Sequence, residues 1–377
     1  MLSIYLIWTL AYVICLFYLS RHWNRDEPEA RTSRFFPSVS LLIPFRNEME
    51  NLPNLLSQLK NLTYPKLEII LIDDESEDGS ANYVRNTILD QLPIRLLQSK
   101  YPGKKSALEM GVAKAKNEII LCSDADCVFP DGWVEEMVLP FEDSAIQLVA
   151  GPVEVIEAGG KLLTKFQAID WSSILLLTNY FFQVKRPLMC SGANLAYRKE
   201  AFDQVQGYAG NKEVSSGDDE FLLKKIRADF GSESCVYVSN QDSLVLTGPE
   251  ESWESLINQR TRWAGKWRSH QSDSHALAAV GSFMVQLIWV STFMLLIHGM
   301  LGLLVLAIVW GIKIGAERLV LGKVLESFNM HLAGFSYLCT SFIHPIYVLC
   351  VGVGALVGKF TWKGRGNLRS VKLEVEN

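Results

Sequence analysis

A chain of 377 residues, 49% of them hydrophobic, has room for one large domain or two ordinary ones. A net charge of −5 with no basic stripe argues against a nucleic-acid partner. The seven cysteines, at 15, 122, 127, 190, 235, 339 and 350, form no CxxC, and no His pair stands at ligand spacing. They read as apolar fillers in a reducing compartment, which excludes a disulfide frame and a zinc module. The charges are unevenly spread: residues 35–270 carry most of them, and both ends are apolar.

Residues 2–19 are nearly uncharged and long enough to span a bilayer. Arg21, Arg25, Arg31 and Arg34 come directly after this run. A cleavable signal peptide carries its positive charge before the apolar stretch, so the segment reads as an uncleaved anchor over 1–20. The basic flank places the middle of the chain in the cytoplasm.

From Ser38 onward the pattern alternates. Val39–Ile43 reads as a strand, 48–60 as a helix with Leu52, Leu55, Leu56 and Leu59 on one face, and Leu67–Ile72 as a second buried strand. A short helix over 81–90, a strand over Ile94–Gln98, a helix over 104–115 and a strand over 118–122 continue the series. Such alternation predicts an α/β domain with a mostly parallel sheet. Ligands of these sheets bind beyond the carboxyl ends of the strands, where Asp73-Asp74 and Asp124-Ala125-Asp126 both fall. In an extended Asp-x-Asp the two carboxylates leave the same side of the backbone and repel unless a cation lies between them. A hard divalent ion completed by water and phosphate oxygens satisfies that need. No Gly-x-Gly-x-x-Gly and no Walker motif occurs, so the two commonest nucleotide cradles are absent.

Residues 162–184 are apolar enough to suggest a membrane span, but Lys165 and Asp170 oppose it, and the segment reads as an interfacial helix. The helix carrying Gln259-Arg-Thr-Arg-Trp263 places Gln259, Arg262 and Trp263 on one face. Ala276–Ile312 is almost free of charge. As one helix it would be about 55 Å long against a core of about 30 Å, so it reads as two spans turning near His298-Gly299. A further span covers Ala333–Gly358. The basic tail, with Lys359, Lys363, Arg365, Arg369 and Lys372, is expected in the cytoplasm. A cytoplasmic middle and tail require an even number of crossings; either one short segment is interfacial or, the favoured reading, residues 318–332 supply a fourth crossing, with Lys323 and Glu326 facing protein.

Five segments in order carry a family resemblance: SVSLLIPFRNE at 38–48, LIDDESEDGS at 71–80, YPGKKSALEMG at 101–111 leading to DAD at 124–126, CSGANLAYRKEAF at 190–202 with GDDEF at 217–221, and QRTRW at 259–263. Together they resemble the membrane-anchored, inverting family 2 glycosyltransferases of the GT-A fold. These include cellulose, hyaluronan and poly-N-acetylglucosamine synthases and ceramide glucosyltransferases. The resemblance implies a GT-A domain over 35–250, an interfacial helix over 251–274, membrane helices over 275–358 and a cytoplasmic tail over 359–377. It also implies an integral protein of a bacterial inner membrane.

The same resemblance implies roles. Asp73 or Asp74 reads the uracil of a UDP-sugar, Lys104 or Lys105 meets a phosphate, and Asp124 and Asp126 hold Mg2+ or Mn2+. Gly192 and Asn194 line the acceptor side. Asp219 is the catalytic base, with Asp218 beside it. Gln259, Arg262 and Trp263 contact the donor, and Trp263 also stacks on the acceptor. The implied activity is hexosyl transfer to a lipid, lipid-linked sugar or growing polysaccharide. The competing reading is a non-catalytic membrane subunit of a synthase or export complex. A transporter is a third class, and His344-Pro345, its one candidate feature, reads more simply as a kink.

Overall fold

The computed structural model describes residues 2–23, 35–91, 94–156, 160–211, 217–265 and 273–357, with the short pairs 361–362 and 365–366. The basic residues Arg25, Arg31, Arg34, Lys359, Lys363, Arg369 and Lys372 lie outside them. In chain order the first elements are α1 (Leu2–Arg21), β1 (Val39–Phe45), α2 (Leu52–Asn61), β2 (Leu67–Asp73), α3 (Ser80–Gln91) and β3 (Ile94–Gln98). Next come α4 (Lys104–Lys114), β4 (Ile119–Cys122), β5 (Cys127–Val128), α5 (Trp133–Val138), β6 (Leu148–Ala150) and β7 (Val153–Val155). Then come α6 (Leu162–Gln183), β8 (Leu195–Arg198), α7 (Lys199–Gln204), α8 (Asp218–Phe230), β9 (Cys235–Tyr237) and β10 (Val245–Thr247). The last helices are α9 (Trp253–Ala264), α10 (Asp273–Ser291), α11 (Gly299–Ser327) and α12 (Gly334–Val357).

Contacts divide the chain into two units. One contains Arg25–Glu154, Phe181–Gly248 and Thr361–Asn377; the other contains Met1–Asn24, Val155–Tyr180 and Pro249–Phe360. The first is built on a seven-stranded sheet of order β3-β2-β1-β4-β8-β6-β9. Strands β3, β2, β1 and β4 are parallel neighbours, and β8 is the strand that runs against its partners β4 and β6. A three-stranded sheet of order β5-β10-β7 accompanies it. The expected α/β alternation over 39–122 is present, with element ends shifted by a few residues. The inner strands are buried along their whole length, as a sheet covered on both faces requires. Leu42, Ile70, Ile72 and Ile120 pack against Leu108 and Val112 of α4 and Leu222, Leu223 and Ile226 of α8.

The second unit is helical. Among the described residues three stretches are long and apolar enough to cross a membrane: Leu2–Arg21, Ala279–Ser327 and Gly334–Val357. The middle one is interrupted as expected near His298-Gly299. Residues Thr292–His298 form a 3-10 segment, and Gly299 takes φ 61°. That segment lies back against the start of α11: a Cβ at Gly302 would collide with the Leu295 carbonyl oxygen. Thr292 accepts a hydrogen bond from Trp310 Nε1 at 2.9 Å, partway along α11.

The separate fourth crossing expected over 318–332 is not formed, because residues 318–327 complete α11. Three charged residues of α11, Lys313, Glu317 and Lys323, are satisfied within the helices. Lys313 Nζ donates to Glu317 Oε1 at 2.7 Å and to the Ser341 carbonyl at 3.2 Å. Glu317 also accepts from Tyr12 Oη at 2.7 Å and from the Ser341 hydroxyl. Lys323 Nζ donates to the Ser20 carbonyl at 3.0 Å. A paired, hydrogen-bonded charge is the form in which ionisable residues persist in an apolar bundle. Residues Leu162–Gln183 form the expected single helix, and its first nineteen residues, 162–180, group with the helical unit.

Candidate active site

The sheet unit gathers its chemistry where β1, β2 and β4 end. After β2, Asp73 and Asp74 are both buried. Asp73 accepts from Ser76 N at 3.0 Å and from Gln98 Nε2 at 3.1 Å, and Asp74 accepts from Gly103 N at 2.8 Å. Arg46, at the end of β1, donates to the Asp74 carbonyl at 2.9 Å and to Glu77 Oε1 at 3.1 Å. Asn47 Oδ1 accepts from Glu77 N at 2.8 Å, and Glu48 N donates to Ser80 Oγ at 2.9 Å. The two loops are therefore laced into one wall before any ligand arrives.

Gly103 carries φ 112°, a conformation that suits glycine, and turns the chain so that its N–H meets Asp74 and α4 begins at Lys104. Consecutive helical residues point about 100° apart, so the two lysines part company. Lys105 is buried, donates to the Asn211 carbonyl at 2.9 Å and lies 5.0 Å from the Phe221 ring. Lys104 instead reaches the Asp-x-Asp motif: its Nζ stands 2.6 Å from Asp124 Oδ1 and 3.6 Å from Asp218 Oδ2.

The carboxylates respond to this crowding. Burial raises the Asp124 carboxyl above the usual carboxylate range, and Asp126 and Asp218 raise it further, against the opposing effect of Lys104. For Lys104 burial works against the charged form, but the Asp124 and Asp218 carboxylates outweigh it and hold the ammonium pKa above its ordinary value. Asp126 accepts from Thr247 Oγ1 at 3.2 Å, across the β5–β10 pair. Burial pushes the thiol of neighbouring Cys122 up to about 12, which leaves it an inert filler beneath the site.

Among the described residues no group of three or more His, Cys, Asp or Glu is arranged to hold a metal ion. Asp124 and Asp126 still suit a hard cation completed by phosphate and water, and a cation, the Lys104 ammonium, already stands in contact with Asp124.

GDDEF opens α8, so Asp218, Asp219 and Glu220 occupy its first turn, where negative charge is favoured. Asp219 Oδ2 accepts from Gly192 N at 3.0 Å. A Cβ at position 192 would lie 2.9 Å from Asp218 Oδ2, so a larger residue there would push that carboxylate aside, and 3.5 Å from Lys104 Nζ. Lys104, Asp124, Asp218, Asp219 and Gly192 are thus brought together. Asn194 is not: it is fully buried, donates Nδ2 to the carbonyls of Pro152 (2.8 Å) and Ser243 (2.7 Å), and accepts from Trp133 Nε1 at 2.9 Å. Its side chain is spent on the core and has nothing left for an acceptor.

QRTRW lies in the helical unit, on α9, which starts at a Ser252/Ser255 capping box. Gln259 Nε2 donates to Glu250 Oε1 at 2.6 Å. Trp263 packs edge-on against Trp171 at 5.4 Å. The residue that pins this helix was not singled out by sequence. Arg260 is buried between the rings of Trp171 and Trp263, 4.4 Å from each. It donates to Asp170 Oδ2 at 3.0 Å and to Tyr347 Oη at 3.2 Å, while His344 Nε2 stands 3.2 Å from Asp170 Oδ1. The signal available in sequence was an Asp and an Arg, each alone in an apolar helix face, where a buried charge needs a partner. Burial would raise the Asp170 carboxyl, yet Arg260 and His344 together hold it below the usual range.

Residues 40–206 match the model of glycosyl transferase family 2. The chain carries a glycosyl transferase family 2 domain. It is 29% identical over 262 residues to "Probable glycosyltransferase YdaM" of Bacillus subtilis, covering 65% of this chain and 59% of that protein. It is 28% identical over 271 residues to the poly-beta-1,6-N-acetyl-D-glucosamine synthase of Staphylococcus epidermidis, covering 70% and 62%. The chain therefore spans about three-fifths of the length of these curated relatives. Among solved structures it is similar to the mannosyltransferase PcManGT of Pyrobaculum calidifontis, in complex with GDP-Man and Mn2+. That likeness has a TM-score of 0.59 at 16% identity and covers 94% of this chain and 96% of the other. At that identity the likeness is one of fold, and the fold of the sheet unit is GT-A. The family 2 domain expected from the motifs is therefore present over residues 40–206.

Proposed function

We propose that this glycosyltransferase moves a hexosyl unit, with inversion, from a UDP-sugar to a membrane-associated acceptor: a lipid, a lipid-linked sugar or a growing polysaccharide. The observation that carries the reading is the convergence of Lys104, Asp124 and Asp218 with Asp219 held by Gly192 N–H. One carboxylate pair faces a leaving diphosphate, and a second carboxylate is poised as base.

Asp219 takes the proton of the acceptor hydroxyl as its oxygen bonds to the anomeric carbon. The bond from that carbon to the diphosphate breaks on the opposite face, and UDP leaves. Asp124 and Asp126 would hold a Mg2+ or Mn2+ ion, which when bound supplies Lewis-acid neutralisation of the leaving diphosphate. Lys104 adds positive charge on the same side. The wall of Arg46, Asp73, Asp74 and Gln98 shapes the nucleoside end, and Asp73 or Asp74 is the uracil reader. Gln259, Arg262 and Trp263 serve the donor, and Trp263 also the acceptor; among the described residues Gln259 Oε1 is buried without a hydrogen-bond partner. The membrane helices keep the acceptor close, and the catalytic unit faces the cytoplasm, where nucleotide sugars are found.

A screen of UDP-sugars for UDP release by the purified chain, with and without lipid extract, tests this reading. Release that depends on one sugar and rises with an acceptor is the expected result. No release from any UDP- or GDP-sugar would favour a non-catalytic membrane subunit.

A further inference from the structure

Lys104 has two anionic claims on it, and the structure shows which it holds without a donor. Its ammonium is 2.6 Å from Asp124 Oδ1 and 3.6 Å from Asp218 Oδ2. The Gly192 loop runs beside it, and a Cβ there would be in ordinary contact with Nζ at 3.5 Å. Asp124 is one of the two carboxylates of the motif suited to a divalent ion. An ammonium in contact with one of its oxygens occupies part of the space and cancels part of the charge that such an ion needs.

Resting on the metal-dependent reading above, we propose that Lys104 is a built-in counter-ion that competes with the divalent cation for Asp124, and that the donor diphosphate relieves the competition by giving Lys104 another partner. The swing is short, since one flexible side chain exchanges a carboxylate for a phosphate oxygen. No covalent step is involved. The consequence is ordered loading: the cation binds weakly to the free protein and tightly with the nucleotide. By linkage, the cation tightens the nucleotide by the same factor. It also explains a lysine at the first position of α4, since a shorter side chain would not reach both carboxylates.

The test is Mn2+ binding to the purified full-length chain, read from the free-Mn2+ electron paramagnetic resonance signal with and without UDP. Phosphate coordination alone raises Mn2+ affinity with UDP in any variant, so the deciding arm is the protein without UDP. There Lys104→Met should bind Mn2+ at least roughly tenfold more tightly than the wild type, and Lys104→Arg, which keeps the cation, should not. Equal or weaker Mn2+ binding by Lys104→Met overturns the proposal while leaving metal dependence intact. Absence of Mn2+ binding in every protein, even with UDP, overturns both. Should Lys104→Met fail to fold, Lys104→Gln carries the same expectation. A melting curve identifies which variant is usable.

Discussion

Asp219 is oriented by the main chain: Oδ2 by Gly192 N at 3.0 Å and Oδ1 by Glu220 N at 2.7 Å. Asp219→Asn keeps the size and one of these two hydrogen bonds but removes the base. It should lower turnover by roughly 10²-fold or more with UDP binding nearly unchanged, as measured by UDP release beside a UDP titration. Survival within about threefold would move the base to Asp218. Asp126→Ala should abolish UDP release while the protein still melts cooperatively, and EDTA should do the same to the wild type. Full activity in EDTA would rule the metal out. At this scale the sequence read well where one residue type has one task. DAD, GDDEF and the glycine at 192 all converge. It could not separate Lys104 from Lys105, because a helical step of about 100° decides which one faces the site. It also placed Asn194 beside the acceptor, where a small-residue loop gave no sign that the side chain is locked among Trp133, Pro152 and Ser243.

Elements were legible to the extent that periodicity defines them. The strands from Val39 to Cys122 read clearly because each is built around a short apolar run: Leu41–Ile43, Ile69–Ile72, Leu96-Leu97 and Ile119–Cys122. Helix α11 did not, because Lys313, Glu317 and Lys323 interrupt an apolar stretch and their partners on α1 and α12 are hundreds of residues away or beyond a turn. Helix α9 shows the same limit. Its anchor, Arg260, acts through Asp170 on α6 and Tyr347 on α12. Arg260→Lys keeps the charge but loses the flat face held between Trp171 and Trp263. It should reduce transfer by roughly tenfold, on the scale of a desolvated cation–π contact, while UDP affinity is unchanged; equal loss in both would mean a general collapse.

Asp170→Asn leaves Arg260 uncompensated and should destabilise the protein by roughly 3–5 kcal/mol. The sign with pH comes from the depressed Asp170 carboxyl. Its stabilisation is fully present above the unfolded value of about 3.9 and is lost as pH falls through the lower folded value. A thermal melt series should show wild type losing stability toward pH 3 more steeply than Asp170→Asn.

At the scale of the molecule, the sheet unit carries the candidate site and the helical unit carries the stretches long and apolar enough to cross a membrane. The expected topology keeps both the region after α1 and the tail in the cytoplasm, so the C-terminal helices must cross an even number of times. The fourth crossing assumed for that purpose does not exist. An even number is left if the stretch Ala279–Ser327, broken at Thr292–His298, counts as a single pass in which α10 enters and returns, and α12 as the second. Sequence alone could not show this, because a returning segment and a crossing segment have the same apolar composition. Cysteine labelling from outside intact cells separates them. In a background lacking the exposed Cys15 and Cys350, neither Ser33→Cys nor Ser370→Cys should react until the membrane is permeabilised. Reaction at Ser370→Cys alone would mean that α10 crosses fully and the tail is outside, leaving the chemistry untouched. Reaction at Ser33→Cys would place the Lys104–Asp124 cluster away from cytosolic nucleotide sugars and overturn the proposed function.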